Sequence, residues 1–107
     1  MENCVFCKII HKEIPSNTIY EDKDIFVFHD INPADEVHFL LIPKLHIESM
    51  LELTDTHQEL MGKMMIMANK LALEHGIAKG YKTLINTGKN GGQEVFHLHI
   101  HVIGHKG

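Results

Sequence analysis

The sequence predicts an α+β domain with five strands, one short helix near the N-terminus and one long helix in the middle. Three observations carry this reading. His97-Leu98-His99-Ile100-His101-Val102-Ile103 alternates strictly, as a strand with one apolar face does. Residues 56–76 carry apolar side chains at helical spacing. Three upstream runs rich in β-branched and aromatic residues are each bounded by Pro, Asp or Asn.

Taken in order, Cys4-Val5-Phe6-Cys7-Lys8-Ile9-Ile10 has helical spacing and ends before Pro15, which predicts a short helix with Cys4 and Cys7 on one face. Thr18-Ile19-Tyr20-Glu21 and Ile25-Phe26-Val27-Phe28-His29, joined by Asp22-Lys23-Asp24, read as a hairpin. Asp30-Ile31-Asn32-Pro33 then supplies turn chemistry. His38-Phe39-Leu40-Leu41-Ile42 is nearly all apolar, so it is expected to be central, with Pro43 stopping it. Thr54 and Thr56 are both good caps for the long helix, Thr56-His57-Gln58-Glu59 fitting a capping box, and Gly76 is its stop. Leu60, Met61, Met64, Met65, Ala68, Leu71 and Ala72 form its expected core stripe. Ile66, Met67 and Leu73 make a second apolar face, which points to a partner helix. Tyr81-Lys82-Thr83-Leu84-Ile85-Asn86 is the fourth strand and the histidine run the fifth.

At 107 residues the chain is read as a single domain, 1–107, able to bury about two-thirds of its unfolded surface. A net charge of −4 argues against a general nucleic-acid or membrane-surface binder. No apolar run has the length of a membrane span, and Met1-Glu2-Asn3-Cys4 lacks the build of a signal peptide, so a cytoplasmic address with reduced thiols is expected.

Ten histidines are the compositional oddity, and three of them share one face of the last strand. Histidine adds nothing to sheet packing that Thr or Lys would not, so that face is read as chemical and the Leu98, Ile100, Val102 face as core. A glycine-rich turn, Gly88-Lys89-Asn90-Gly91-Gly92-Gln93, precedes it, with backbone N–H groups free to meet an anion. Cys4 and Cys7 at C-x-x-C spacing lack the βαβ context of a redox site. They read either as small core hydrophobes or as half of a four-ligand zinc site.

The run from His97 to Ile103 resembles the signature of the histidine triad superfamily: His, apolar, His, apolar, His, two apolar. Phe28-His29-Asp30-Ile31-Asn32-Pro33, Ile42-Pro43-Lys44-Leu45-His46-Ile47 and Gly91-Gly92-Gln93-Glu94-Val95-Phe96 resemble the surrounding blocks of its Hint branch, in the same order and spacing. The resemblance implies a five-stranded antiparallel sheet continued across a homodimer, and hydrolysis of purine nucleoside 5′-phosphoramidates, AMP or GMP derivatives, through a nucleotidyl-histidine. It implies His99 as nucleophile, oriented by the backbone carbonyl of His97, with His101 at the phosphate or leaving group. Asp30 would take the ribose hydroxyls, Phe28 and Ile31 would wall the base, and Asn86, Gly92 and Gln93 would lie on the phosphate side. Glu94 stands near the leaving group, where animal relatives carry serine. No cofactor is required for this chemistry. Some relatives bind zinc, and the corresponding ligands here are Cys4, Cys7, His46 and His97. Read from the residues alone, Asp30 is first of all a turn cap, and His29, His38, His11, His57, His75 and His105 are structural or solvated. A non-catalytic nucleotide-binding module, a metal-handling surface and a dinucleoside polyphosphate hydrolase are the competing functions.

Overall fold

Val37–Pro43 occupies the middle of the sheet, as its nearly all-apolar character requires, because a strand packed on both faces has no solvent side to make polar. The computed structural model describes residues 3–107, so Met1 and Glu2, which begin the stretch read as lacking a signal peptide, lie outside the described residues. In chain order the elements are α1 (Val5–Ile10), β1 (Thr18–Glu21), β2 (Ile25–His29), β3 (Val37–Pro43), α2 (Gln58–Glu74), β4 (Tyr81–Leu84) and β5 (Ile100–Gly104). The sheet order is β1-β2-β3-β5-β4, and every pairing is antiparallel.

Local chemistry sets the turns. Asp22 accepts the N–H groups of Asp24 and Ile25 at 2.8 Å each, closing the hairpin between β1 and β2. Neither threonine caps the long helix directly. Thr54 caps the 3₁₀ turn before it, its hydroxyl accepting from Thr56 N–H while Thr54 N–H donates to His57 Nδ1 at 3.0 Å. The N-cap of the helix itself is His57, with no side-chain capping bond. A single 3₁₀ turn, Asp55–His57, therefore leads into α2. Gly76, at φ 81°, takes the left-handed conformation that ends the helix at little steric cost.

Register sorts the two faces. Val27, Leu41 and Ile100 are successive cross-strand partners, and with Ile25, Phe39 and Val102 they pack under Met64, Ala68, Leu71 and Ala72 of α2. Phe28, Leu40 and His101 are the corresponding row on the other face, where Phe6 and Ile9 of α1 cover Phe26, Phe28, Leu40 and Ile42. One face of the sheet is wholly packing, and the other is shared between α1 and the histidines.

Two expectations shift. The strand ladder begins at Ile100 rather than His97, because Leu98 N–H donates to Ile47 carbonyl at 2.7 Å and holds residues 97–99 against the loop after β3. On α2, Met65 is exposed with Ile66 and Leu73, whereas Met67 packs on the core. Among the described residues, no helix is long and apolar enough to cross a membrane.

Candidate active site and metal-ligand cluster

His99 is buried, and its Nδ1–H donates to the backbone carbonyl of His97 at 2.7 Å. A neutral imidazole whose proton is held on Nδ1 keeps its lone pair on Nε2, the form a nucleophile needs. Burial lowers the His99 pKa below its usual value, so the ring is neutral at pH 7. The ring of Phe6 meets it edge-on, with centroids 5.1 Å apart and planes at 90°.

His101 stands opposite Leu40 in the ladder and reaches His38, also on the α1 face, with His101 Nδ1 3.0 Å from His38 Nε2. The direction of that bond follows from the next one. Ala34 N–H donates to His38 Nδ1 at 3.0 Å, so a neutral His38 carries its proton on Nε2 and donates it to His101 Nδ1. His101 is thereby left with its own proton on Nε2, and burial, reinforced by His99 and His38, pushes it down to about 4. It is a neutral hydrogen-bond donor at pH 7. Asp30 Oδ2 lies 3.5 Å from His38 Nε2, while Asp30 Oδ1 accepts from Asn32 N–H, so the turn-capping role is filled as well.

His99, His101, Asp30, Asn86, Gly92 and Glu94 line one cleft of about 240 Å³, walled by Phe6, Leu40 and Val95. Six of the residues expected at the site therefore converge. Others do not line it. Phe28 is buried behind the cleft, stacked edge-on to Phe6 at 5.4 Å, and Ile31 is 90% exposed on the turn after β2. Gln93 spends its amide on the loop: Oε1 accepts from Gly88 N–H, and Nε2 donates to the carbonyls of Glu48 and Val95. The His97 ring is fully buried and turned away from the cleft, so only its carbonyl serves His99.

Two residues at the site were read otherwise or passed over in the sequence. His38, a structural residue by its sequence, reaches His101, and Phe6, a helix residue by its spacing, walls the cleft. A lone polar side chain in the doubly buried β3 was the available signal for His38, since it must find a partner there.

The His97 ring has a different use. Its Nε2–H donates to Pro43 carbonyl at 2.8 Å, which leaves the Nδ1 lone pair facing Cys4 Sγ at 3.2 Å and Cys7 Sγ at 3.6 Å. His46 Nδ1 lies 3.3 Å from Cys7 Sγ, and all four ligand atoms fall within 4.8 Å of one another. This fits a tetrahedral zinc ion, with the second ring nitrogen of His97 already donating to a carbonyl as metal-bound histidines do. Burial and the adjacent Cys4 push the Cys7 thiol up to about 11, so taking up a cation must release thiol protons. Asp30, His38 and His101 are also close enough to share an ion. Their hydrogen bonds oppose it, because a metal on His38 Nε2 would move the proton to Nδ1, against the Ala34 N–H.

The HIT domain family model matches residues 11–107. The chain belongs to the HIT family. This HIT chain is 57% identical to protein HitA of Neisseria gonorrhoeae over 104 residues, covering 97% of each. It is 40% identical to the purine nucleoside phosphoramidase of Escherichia coli strain K12 over 104 residues, 96% of this chain and 87% of that one. A HIT family hydrolase from Clostridium thermocellum superposes with a TM-score of 0.95 at 47% identity, over 98% of this chain and 92% of its own. A histidine triad protein from Clostridium difficile gives 0.94 at 38%, over 100% and 94%. The Hint branch fits these relatives, and the HIT chain is a hydrolase of that family.

Proposed function

We propose that this HIT hydrolase cleaves the P–N bond of purine nucleoside 5′-phosphoramidates. The observation that carries the reading is the His99 Nδ1–H bond to His97 carbonyl, which leaves Nε2 as a lone pair in the cleft beside an N–H donor on His101. His99 Nε2 attacks the α-phosphorus, and the bond from phosphorus to nitrogen breaks. The departing nitrogen takes a proton from solvent at the open cleft. His101 Nε2–H donates to a phosphoryl oxygen, and the charge that appears on the His99 ring is stabilised through Nδ1–H by the His97 carbonyl. Water then attacks phosphorus, releasing the nucleoside monophosphate, a proton and free His99. Asp30 accepts from the ribose hydroxyls, and Asn86 and Gly92 lie toward the phosphate.

Cys4, Cys7, His46 and His97 are proposed to hold one structural zinc, which when bound supplies a fixed tetrahedral anchor and takes no part in the reaction. The chain is further proposed to be a homodimer. Gly62, Ile66, Asn69 and Leu73 recur at the spacing of one α2 stripe; Ile66 and Leu73 are more than half exposed, and a Cβ on Gly62 would meet nothing within 4 Å. β4 lies at the sheet edge beside this stripe, tied to it by Tyr81 O–H donating to Asn69 Oδ1 at 2.7 Å.

The test compares adenosine and guanosine 5′-phosphoramidates with diadenosine polyphosphates on wild type and His99→Ala. Wild type should release amine and form an adenylyl adduct on His99 that survives an alkaline quench for mass analysis, and the variant should lose on the order of 10³-fold or more of the turnover. A His99→Ala protein that turns over at the wild-type rate would sink the assignment. Preference for the polyphosphates would move the substrate class.

A further inference from the structure

His97 is the point at which the two histidine-bearing sites of the chain meet. Its side chain has no solvent exposure, its Nδ1 faces the two sulfurs at 3.2 and 3.6 Å, and its carbonyl receives the His99 Nδ1–H at 2.7 Å. The sulfur cluster and the nucleophile are thus separated by one residue's own covalent frame. A second path runs parallel to it. Phe6 sits between Cys4 and Cys7 on α1, and its ring lies 5.1 Å from His99 and 6.0 Å from His97, in each case edge-on.

Both paths depend on what holds α1. The helix has six residues, too short to persist alone. Apart from the apolar packing of Phe6 and Ile9, it is joined to the catalytic segment through contacts from thiol to imidazole, and a thiol is a weak hydrogen-bond donor. Four bonds to one cation would replace those weak contacts with a fixed geometry. If they loosen, the His97 carbonyl is free to turn, and a neutral imidazole without a fixed acceptor samples both tautomers. The tautomer with its proton on Nε2 has its lone pair on Nδ1 and none on Nε2 to offer phosphorus.

We infer that Cys4, Cys7, His46 and His97 are positioning residues for the nucleophile: occupation of their cluster by a thiophilic tetrahedral cation holds His99 in its reactive tautomer, and turnover follows metal loading. The turnover part of this rests on the phosphoramidate hydrolase reading; the tautomer part does not.

The experiment uses the full chain in three states: zinc-loaded, stripped with a chelator under reductant, and reloaded. Zinc content is expected at roughly one per chain when loaded. Ring ¹⁵N spectra should show a single His99 tautomer when loaded and a mixture when stripped. The kcat should fall about tenfold or more on stripping and return on reloading, with AMP affinity changing by less than about threefold. Cys4→Ser, chosen because Cys4 is only part-buried, should behave as the stripped protein while its amide spectrum stays folded. An unchanged His99 spectrum and kcat after stripping overturns the inference, as does a chain that takes up neither zinc nor cadmium. Global unfolding on stripping also overturns it, since the metal would then serve folding alone. A tautomer shift in a protein that hydrolyses no phosphoramidate in any state upholds the coupling and removes the proposed substrate instead.

Discussion

His38 Nε2 donates to His101 Nδ1 across 3.0 Å, and the donor is fixed by a backbone N–H from Ala34 arriving on the far side of the His38 ring. A main-chain group in the turn after β2 therefore decides which nitrogen of His101 carries a proton in the cleft. Nothing in this relay needs a charge. Burial holds His101 neutral, and each bond has one defined donor.

His38→Ala removes the relay and leaves His101 Nδ1 without its donor. The expected result is a kcat lowered by up to about a hundredfold, with a smaller change in nucleotide affinity, because the loss is one of orientation. Ring ¹⁵N spectra of His101 should change from one tautomer to two. A variant with wild-type kcat and one His101 tautomer would show that the relay is packing alone.

The pH profile follows from the direction of the histidine shifts. His99 and His101 titrate near 6.5 in the unfolded chain; burial lowers both in the folded state, His101 to about 4. Between those values the unfolded chain binds protons that the folded chain refuses, so stability is full above 6.5 and is lost as pH falls toward 4. Thermal melts should show Tm declining over that window. The acid limb of kcat/KM should have its midpoint below 6.5, since His99, the proposed nucleophile, has a lowered pKa. A midpoint at or above 6.5 would contradict a buried, neutral His99.

Association is expected to run through the exposed stripe of α2. Ile66→Lys places a charge in its middle while leaving the core face, Met64, Ala68, Leu71 and Ala72, untouched. Light scattering at micromolar concentration should report a dimer for wild type and a smaller species for the variant, with the circular dichroism spectrum unchanged. A wild-type monomer would end this proposal.

Much of the fold was legible because burial on two sides and burial on one side leave different patterns. The run from His38 to Ile42 announced a central strand, and the alternation from His97 to Ile103 announced which face carried the imidazoles. Alternation fixes facing but not pairing, so it could not show that residues 97–99 precede the ladder, with Leu98 N–H donating to the Ile47 carbonyl and the His99 ring to the His97 carbonyl instead. Helical spacing is similarly coarse: Met65 and Met67 lie 200° apart on an ideal wheel, and both border the apolar stripe, so which of them turned inward depended on the tilt of α2 against the sheet. At the cleft, Asp30, His99 and His101 came from one-dimensional motifs. His38 did not, because its role rests on Ala34, four residues away in sequence and brought beneath the ring by the turn. Gln93 shows the converse, a motif residue whose amide is consumed by its own loop.

The contact between Cys4 and His97 spans 93 positions of a 107-residue chain. During synthesis, β1, β2, β3 and α2 are all made before residues 97–101, so the sulfurs of Cys4 and Cys7 have only His46 as an imidazole partner until His97 follows. The central β3 likewise waits with one edge unpaired for β5. Closure of such a long loop comes late and comparatively slowly. The segment that closes the sheet as β5 thus also brings the fourth member of the sulfur–imidazole cluster, His97, and the proposed nucleophile, His99.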